Sequence, residues 1–84
     1  MTISASILIV TFNSARHIQT CLEALLASIG PEHEVIVVDN ASVDGSIAQV
    51  RAFGERVKLI ASPVNRGFAG GVNLAARHAT GQTL

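Results

Sequence analysis

Two uninterrupted aliphatic runs constrain the fold of this chain more than any other feature of its sequence. The first is Ile7–Val10 and the second is Val35–Val38, and neither alternates with polar residues. Continuous runs rich in β-branched residues are typical of strands that are covered on both faces of a parallel sheet. We therefore predict buried strands over Ser4–Thr11 and Glu34–Asp39. A weaker, partly alternating run over Val57–Ala61 predicts a third strand nearer the edge of the sheet.

Apolar residues at helical spacing separate these strands. Asn13 or Ser14 could cap a first helix that ends at Gly30 and Pro31, with a buried stripe of Ile18, Cys21, Leu22, Leu25, Leu26 and Ile29. A second helix is predicted from Ser42–Asp44 to Gly54, with Ile47, Val50 and Phe53 buried. A third follows Gly67 and ends at Gly81, with one side formed by Phe68, Val72, Ala75, Ala76 and Ala79.

The predicted order is therefore β-α-β-α-β-α, and residues 82–84 have the character of the start of a fourth strand. Parallel strands joined by helices place helices on both faces of a sheet. We expect residues 1–84 to form one α/β unit. It should be half of a three-layer, doubly wound α/β/α domain with a mostly parallel, Rossmann-like sheet.

Composition excludes several function classes. The net charge is zero and 14% of the residues are charged, without a basic run or an aromatic platform, so we expect no nucleic-acid partner. The single cysteine, Cys21, cannot form an internal disulfide, which suits a cytoplasmic location. The aliphatic run near the start of the chain is too short for a membrane span or a signal peptide.

The loops that follow the three strands carry most of the polar residues, over 11–14, 39–45 and 62–73. Ligands of such sheets bind beyond the carboxyl ends of the strands. Asp39 ends an aliphatic strand, and its carboxylate there needs a partner. A uracil or thymine ring offers its N3–H, Arg66 could bind a ring carbonyl, and Phe12 could lie against the ring face. Alternatively, Asp39 caps the following turn and pairs with Arg66, without a ligand.

Other polar or reactive residues favour structural roles. Asp44 fits a helix N-cap better than a calcium loop, because no acidic residue follows at the far end of such a loop. The glycines at 67, 70 and 71 either let the backbone approach an anionic ligand or let the third helix pack closely on the sheet. The histidines at 17, 33 and 78 lack metal-ligand spacing and are expected at the surface, and Cys21 is expected in the core.

Taken together, the segments Ile7–Ser14, Val35–Ser46 and Asn65–Asn73 closely resemble family 2 inverting glycosyltransferases, nearest to the rhamnosyltransferase type. The resemblance covers nearly the whole chain and implies a GT-A fold and a UDP- or dTDP-sugar donor. The nucleotide-binding residues that we predict from the motifs and the loop positions together are Thr11, Phe12, Asn13, Asp39, Asn40, Arg66 and Gly67. The resemblance implies that Thr11 and Phe12 match the loop that lines the base and that Asp39 matches the aspartate that contacts the base. It also implies that Arg66 and Gly67 match the loop that closes over the nucleoside.

The resemblance also implies what this chain lacks. Family members hold Mg²⁺ or Mn²⁺ at an Asp-x-Asp-like motif after the fourth strand, and a later carboxylate acts as catalytic base. Neither position occurs within residues 1–84, so we expect an incomplete N-terminal part without catalytic or metal-binding residues and without activity of its own. The parent would be a hexosyltransferase-type enzyme that acts on a glycan or lipid-linked saccharide, in the cytoplasm or on the cytoplasmic face of a membrane.

Two other classes of function are open. One is a non-enzymatic α/β module such as a flavodoxin-like receiver, which needs an acidic pair after its first strand, where this chain has Thr11-Phe12-Asn13. The other is a structural fragment that self-associates. In the usual strand order of this fold the fourth strand lies beside the first, so the first strand would present a bare edge to a second copy.

Overall fold

The structure is a computed structural model, and it describes residues 5–79 and 82–83. The elements are β1 (Ala5–Thr11), α1 (Ile18–Ser28), β2 (His33–Asn40), α2 (Ser46–Arg51), a 3₁₀ turn (Gly54–Arg56), β3 (Val57–Ser62), α3 (Gly67–His78) and β4 (Gln82–Thr83). The sheet has the order β3-β2-β1-β4, and its pairs are parallel. The predicted α/β class and element order are confirmed.

The core lies on both faces of β2. Val35 and Val37 pack with Ile18 and Leu22 of α1 and with Val50 of α2. On the other face, β2 packs against α3 through the cluster of Ile36, Val38 and Ala75. All four residues of the run Val35–Val38 are at most 2% exposed, because helices cover the central strand from both sides. The predicted three-layer arrangement is therefore present.

The outer strands also follow the predictions. β3 is an edge strand, and Lys58 and Ala61 are exposed while Val57 and Ser62 are buried. β4 pairs with Ala5 and Ser6 of β1, which confirms that Gln82–Thr83 begin a fourth strand beside the first. The prediction for Leu84 lies outside the described residues.

Two helices begin later than the sequence predicts. Neither Asn13 nor Ser14 caps α1, since the Ser14 carbonyl accepts the N–H groups of His17 and Ile18 in a turn and the helix starts at Ile18. α2 starts at Ser46 rather than within 42–44, and its N-cap is Gly45 rather than Asp44. The reason is tertiary: side chains of 42–46 bond to the loop after β1, and Ala41 has a positive φ of 60°.

The prediction that Ile7–Val10 are buried is wrong: these residues are only partly buried, and within the described residues β4 pairs with β1 only at Ala5 and Ser6. Three further side chains predicted to be buried are exposed. Cys21 is exposed, because it lies about 100° around α1 from Leu22, at the margin of the stripe that faces the sheet. Phe68 is 76% exposed, since it stands in the first turn of α3, beyond the ends of the strands. Ala76 is exposed on the outer side of the same helix. His17 and His78 are exposed as predicted, whereas His33 is half-buried beside Glu32.

The glycines of α3 differ in their surroundings. A Cβ on Gly71 would lie 2.8 Å from Val10 Cγ1 and 3.3 Å from Asn40 Nδ2. Gly71 therefore allows α3 to lie close to the ends of β1 and β2. Of the two roles predicted for the glycines, close packing of the helix on the sheet is the one found at Gly71. Gly67 has a φ of 72° with open space around it, so its role is to permit the backbone turn into α3.

None of the helices in the described ranges combines the length and the apolar character that a membrane span requires.

Candidate functional site

Four buried polar side chains end the three long strands at one edge of the sheet: Thr11, Asp39, Asn40 and Ser62. Thr11 is in register with Asp39, and Asn40 with Ser62. Directly paired residues of neighbouring strands point to the same face of a sheet. Thr11 and Asp39 therefore share the face covered by α1 and α2, while Asn40 and Ser62 share the face covered by α3.

Asp39 is fully buried, yet only one of its carboxylate oxygens is bonded. Oδ2 accepts the Ser42 N–H at 2.8 Å, as expected for a carboxylate that caps the turn after its strand. Oδ1 has no partner, and the hydroxyl oxygen of the neighbouring Thr11 also has none. Two unpartnered, solvent-shielded polar atoms therefore belong to residues that are in register at the carboxyl ends of β1 and β2.

Arg66 lies at the same edge of the sheet but on the opposite face. Its Nε–H donates to Ser62 Oγ at 3.2 Å, and within the described residues its guanidinium makes no ion pair with Asp39. The alternative without a ligand was that Asp39 caps the following turn and pairs with Arg66. The turn cap is present, whereas an Asp39–Arg66 ion pair is absent from residues 5–79. Ser62 was not predicted from the sequence as a partner of Arg66. Its position after an edge strand, four residues before Arg66, was the available signal.

Asn40 joins the end of β2 to the loop before α3. Its Nδ2–H donates to the Gly67 carbonyl at 3.0 Å, and its Oδ1 accepts the Arg66 N–H at 3.3 Å. Asn65 adds a local bond, because its Oδ1 accepts the Gly67 N–H at 2.8 Å. The predicted pair Arg66–Gly67 is therefore held at the strand ends by a side chain that is itself predicted to belong to the site.

Asn13 joins the loops after β1 and β2. Its backbone N–H donates to Ser42 Oγ at 2.8 Å, and its Oδ1 accepts the Val43 N–H at 2.9 Å. Its φ is 46°, a conformation that asparagine tolerates better than most residues. The structure thus brings all three predicted loops together, and side chains of Asn13 and Asn40 make the connections.

Apolar side chains are exposed on these same loops. Phe12 is 50% exposed, and Val43, Val64 and Phe68 are more so. Exposed aromatic and aliphatic groups around buried polar atoms suit a ligand with a flat ring and a polar edge.

Two concave regions lie away from this edge. A cleft of about 310 Å³ opens near the amino ends of β2 and β3, lined by residues that include Leu26, His33 and Arg56. Another of about 380 Å³ lies between α1 and α2, beside Gln19 and Phe53. Neither is lined by a residue of the predicted site. The chemistry nevertheless favours the strand ends, because the unpartnered Asp39 and Thr11 atoms lie there.

Comparison with known proteins identifies the family of the chain. The model of the family described as glycosyl transferase family 2 matches residues 6–84. The chain belongs to glycosyl transferase family 2. It is 39% identical to the succinoglycan biosynthesis protein ExoO of Rhizobium meliloti (strain 1021) over 77 residues, which are 90% of the chain and 22% of ExoO.

Solved structures give the same result. The mannosyltransferase PcManGT from Pyrobaculum calidifontis, in complex with GDP-Man and Mn²⁺, is 31% identical with a TM-score of 0.84, over 95% of this chain and 25% of that one. TarS residues 1–349 of S. aureus, in complex with UDP, is 30% identical with a TM-score of 0.80, over 96% and 26%. The chain therefore has the architecture of part of a GT-A glycosyltransferase and spans about a quarter of these relatives.

The PcManGT complex contains Mn²⁺, so we tested whether this chain offers a place for a divalent ion. Across residues 5–79 and 82–83, no three side chains of the His, Cys, Asp and Glu types come together as ligands. The described residues of this family 2 chain do not by themselves fit such an ion.

Proposed function

We propose that this chain forms the nucleoside-binding part of a glycosyltransferase with a UDP- or dTDP-sugar donor. The longer protein would transfer the glycosyl group to a hydroxyl of a glycan or lipid-linked saccharide. Membership of glycosyl transferase family 2 supports the reaction type. The relatives with bound GDP-Man and UDP support a nucleotide-linked donor.

One observation carries the proposal: the unpartnered, buried Oδ1 of Asp39. A buried acceptor without a hydrogen bond costs about 1–3 kcal/mol, and such atoms are rare in native proteins. The N3–H of uracil or thymine would satisfy Oδ1, and the Thr11 hydroxyl would bind an adjacent ring carbonyl. Both atoms are shielded from solvent, so the side chains that cover them must move aside as the base binds.

Exposed side chains nearby support the proposed position of the base beside Asp39 and Thr11. The half-exposed ring of Phe12 directly follows Thr11 and can cover one face of the base. Arg66 is exposed at the same edge, and a guanidinium is the cation best suited to carbonyl and phosphate oxygens. The metal of the complete enzyme, Mg²⁺ or Mn²⁺, would be held by residues outside the described set.

NMR titration of the 84-residue chain with UDP tests the proposal. We expect amide shifts within 11–14, 39–45 and 62–68. Replacing Asp39 with alanine should weaken binding about tenfold or more, since hydrogen bonds to charged groups contribute about 1.5–3 kcal/mol. Glu23→Ala, at an exposed acid of α1, is the matched control and should leave the affinity unchanged. Shifts confined to other regions, or equal affinities of both variants, would reject the site.

The edge of β1 supports a further proposal about partners, namely that it pairs with a second copy of the chain. Ile7–Val10 are partly exposed, although the same kinds of residue in Val35–Val38 are buried. In the described part of the chain, β4 pairs only with Ala5 and Ser6. Among the described residues, the backbone of Ile7–Thr11 therefore has no partner on the β4 side, and such edges promote pairing between chains.

A further inference from the structure

Three consecutive backbone N–H groups of the loop after β1 are bound by side chains of the segment 42–46, which runs from the next loop into the first residue of α2. The N–H of Asn13 donates to Ser42 Oγ at 2.8 Å, that of Ser14 to Ser46 Oγ at 2.9 Å, and that of Ala15 to Asp44 Oδ2 at 3.1 Å. The two loops are 29–32 residues apart in sequence. We call this set of contacts the loop clasp.

Asp44 is the centre of the loop clasp. Its Oδ1 accepts both the backbone N–H and the hydroxyl of Ser46, the former at 2.9 Å. The Ser46 hydroxyl proton is therefore committed to Asp44, which leaves Ser46 Oγ free to accept the Ser14 N–H. One carboxylate thus fixes two loop amides, one directly and one through a fully buried serine. The Ser46 hydroxyl bond, followed by the amide bonds, lowers the pKa of Asp44 below its usual 3.8.

The loop clasp connects the two strand ends at which the base is proposed to bind. Thr11 and Phe12 immediately precede the bound amides, and Asp39 and Asn40 are separated only by Ala41 from the segment 42–46 that binds them. The position of Phe12 relative to Asp39 therefore depends on these contacts. A loop that is already fixed before the ligand arrives loses less conformational entropy on binding.

We propose that Asp44 is a positioning residue of the nucleoside site, which holds the loop after β1 against the loop after β2 and so sets Phe12 and Thr11 relative to Asp39. This inference rests on the proposed nucleotide-binding function. A helix cap alone would explain the bond to the Ser46 N–H, but it does not explain the bond to Ala15, which lies on a different loop.

The sign of the effect on affinity distinguishes positioning from simple electrostatics. Removing a negative charge near a bound diphosphate should strengthen binding by reducing repulsion. Loss of positioning should weaken it. Asp44→Asn keeps the shape and removes the charge, and its Nδ2 cannot accept the Ala15 N–H. We expect UDP affinity to fall about tenfold in Asp44→Asn, with the amide resonances of 13–15 shifted. Glu23→Gln, an exposed acid on α1, should change neither.

A double-mutant cycle with Asp39→Ala completes the test, with UDP titrated into the millimolar range. If Asp44 acts through the base site, Asp44→Asn should weaken binding much less in the Asp39→Ala background than in the wild type. Additive losses, or an affinity of Asp44→Asn equal to or above that of the wild type, would overturn the proposal. If Asp44→Asn does not fold, Ser46→Ala tests the loop clasp instead, because it removes the serine through which Asp44 fixes the Ser14 N–H. UDP affinity should then fall, and an unchanged affinity would overturn the proposal. Wild-type chain that binds neither UDP nor dTDP would instead refute the proposed function.

Discussion

Replacing Asn40 with alanine should destabilise the chain, because this side chain joins β2 to the loop before α3. Asn40 is 2% exposed, donates to the Gly67 carbonyl at 3.0 Å and accepts the Arg66 N–H at 3.3 Å. Each net hydrogen bond contributes about 1 kcal/mol, and the longer one somewhat less. The free energy of unfolding should fall by about 2 kcal/mol. In a domain of this size that corresponds to a Tm lower by roughly 10 °C.

The assay is urea and thermal unfolding followed by circular dichroism. Asn73→Ala is the matched control, because Asn73 is an exposed asparagine of α3. Alanine is the better helix former, so this control should unfold at the same Tm as the wild type or slightly higher. Amide exchange within residues 64–67 should become faster in Asn40→Ala only.

The reasoning is refuted if Asn40→Ala and Asn73→Ala unfold at the same urea midpoint with unchanged slopes. That result would mean that the two Asn40 hydrogen bonds contribute nothing net, and the third loop would then be held by packing of α3 alone. Unchanged exchange at Arg66 and Gly67 would lead to the same conclusion.

Three further predictions concern packing, pH and association. Gly71→Ala should lower stability by about 1 kcal/mol in thermal unfolding, because its Cβ meets the stiff Val10 side chain at 2.8 Å, whereas Gly45→Ala, with open space around it, should be neutral. Asp44 has a lowered pKa in the folded state, so its contribution to stability is present above about pH 4 and lost as the pH falls through the folded-state pKa; Asp44→Asn should remove that part of the dependence of Tm on pH. Sedimentation velocity at rising concentration should show dimers or larger species formed through the β1 edge, and a single monomer at high concentration would contradict this.

The strands and the location of the site could be predicted because both depend on local sequence. Val35–Val38 is apolar, β-branched and without alternation, which is typical of a strand covered on both faces, and all four residues are buried. The polar residues that follow it must then lie at the carboxyl end of the sheet. Asp39 and Asn40 were found in this way, and Thr11 was found in the same way after Ile7–Val10.

The first residues of the helices and the hydrogen-bond partners of the loop side chains could not be predicted, because they depend on contacts between distant segments. Asp44 has the sequence character of an N-cap, yet its second oxygen binds Ala15, which lies 29 residues away. The first turn of α3 looks amphipathic, yet Phe68 extends past the ends of the strands and is exposed. Periodicity gives the direction of a side chain around a helix but not how far the sheet extends beneath it.

The sequence alone determined a parallel α/β sheet, a polar edge with Asp39 at its centre, and the motifs of glycosyl transferase family 2. Only the tertiary structure decided that Arg66 bonds to Ser62 rather than to Asp39, and that Asp39 and Thr11, which are in register, each keep an unpartnered oxygen. The physical reason is strand register: pairing Thr11 with Asp39 and Asn40 with Ser62 places neighbouring residues of one strand on opposite faces, and no local pattern encodes that pairing.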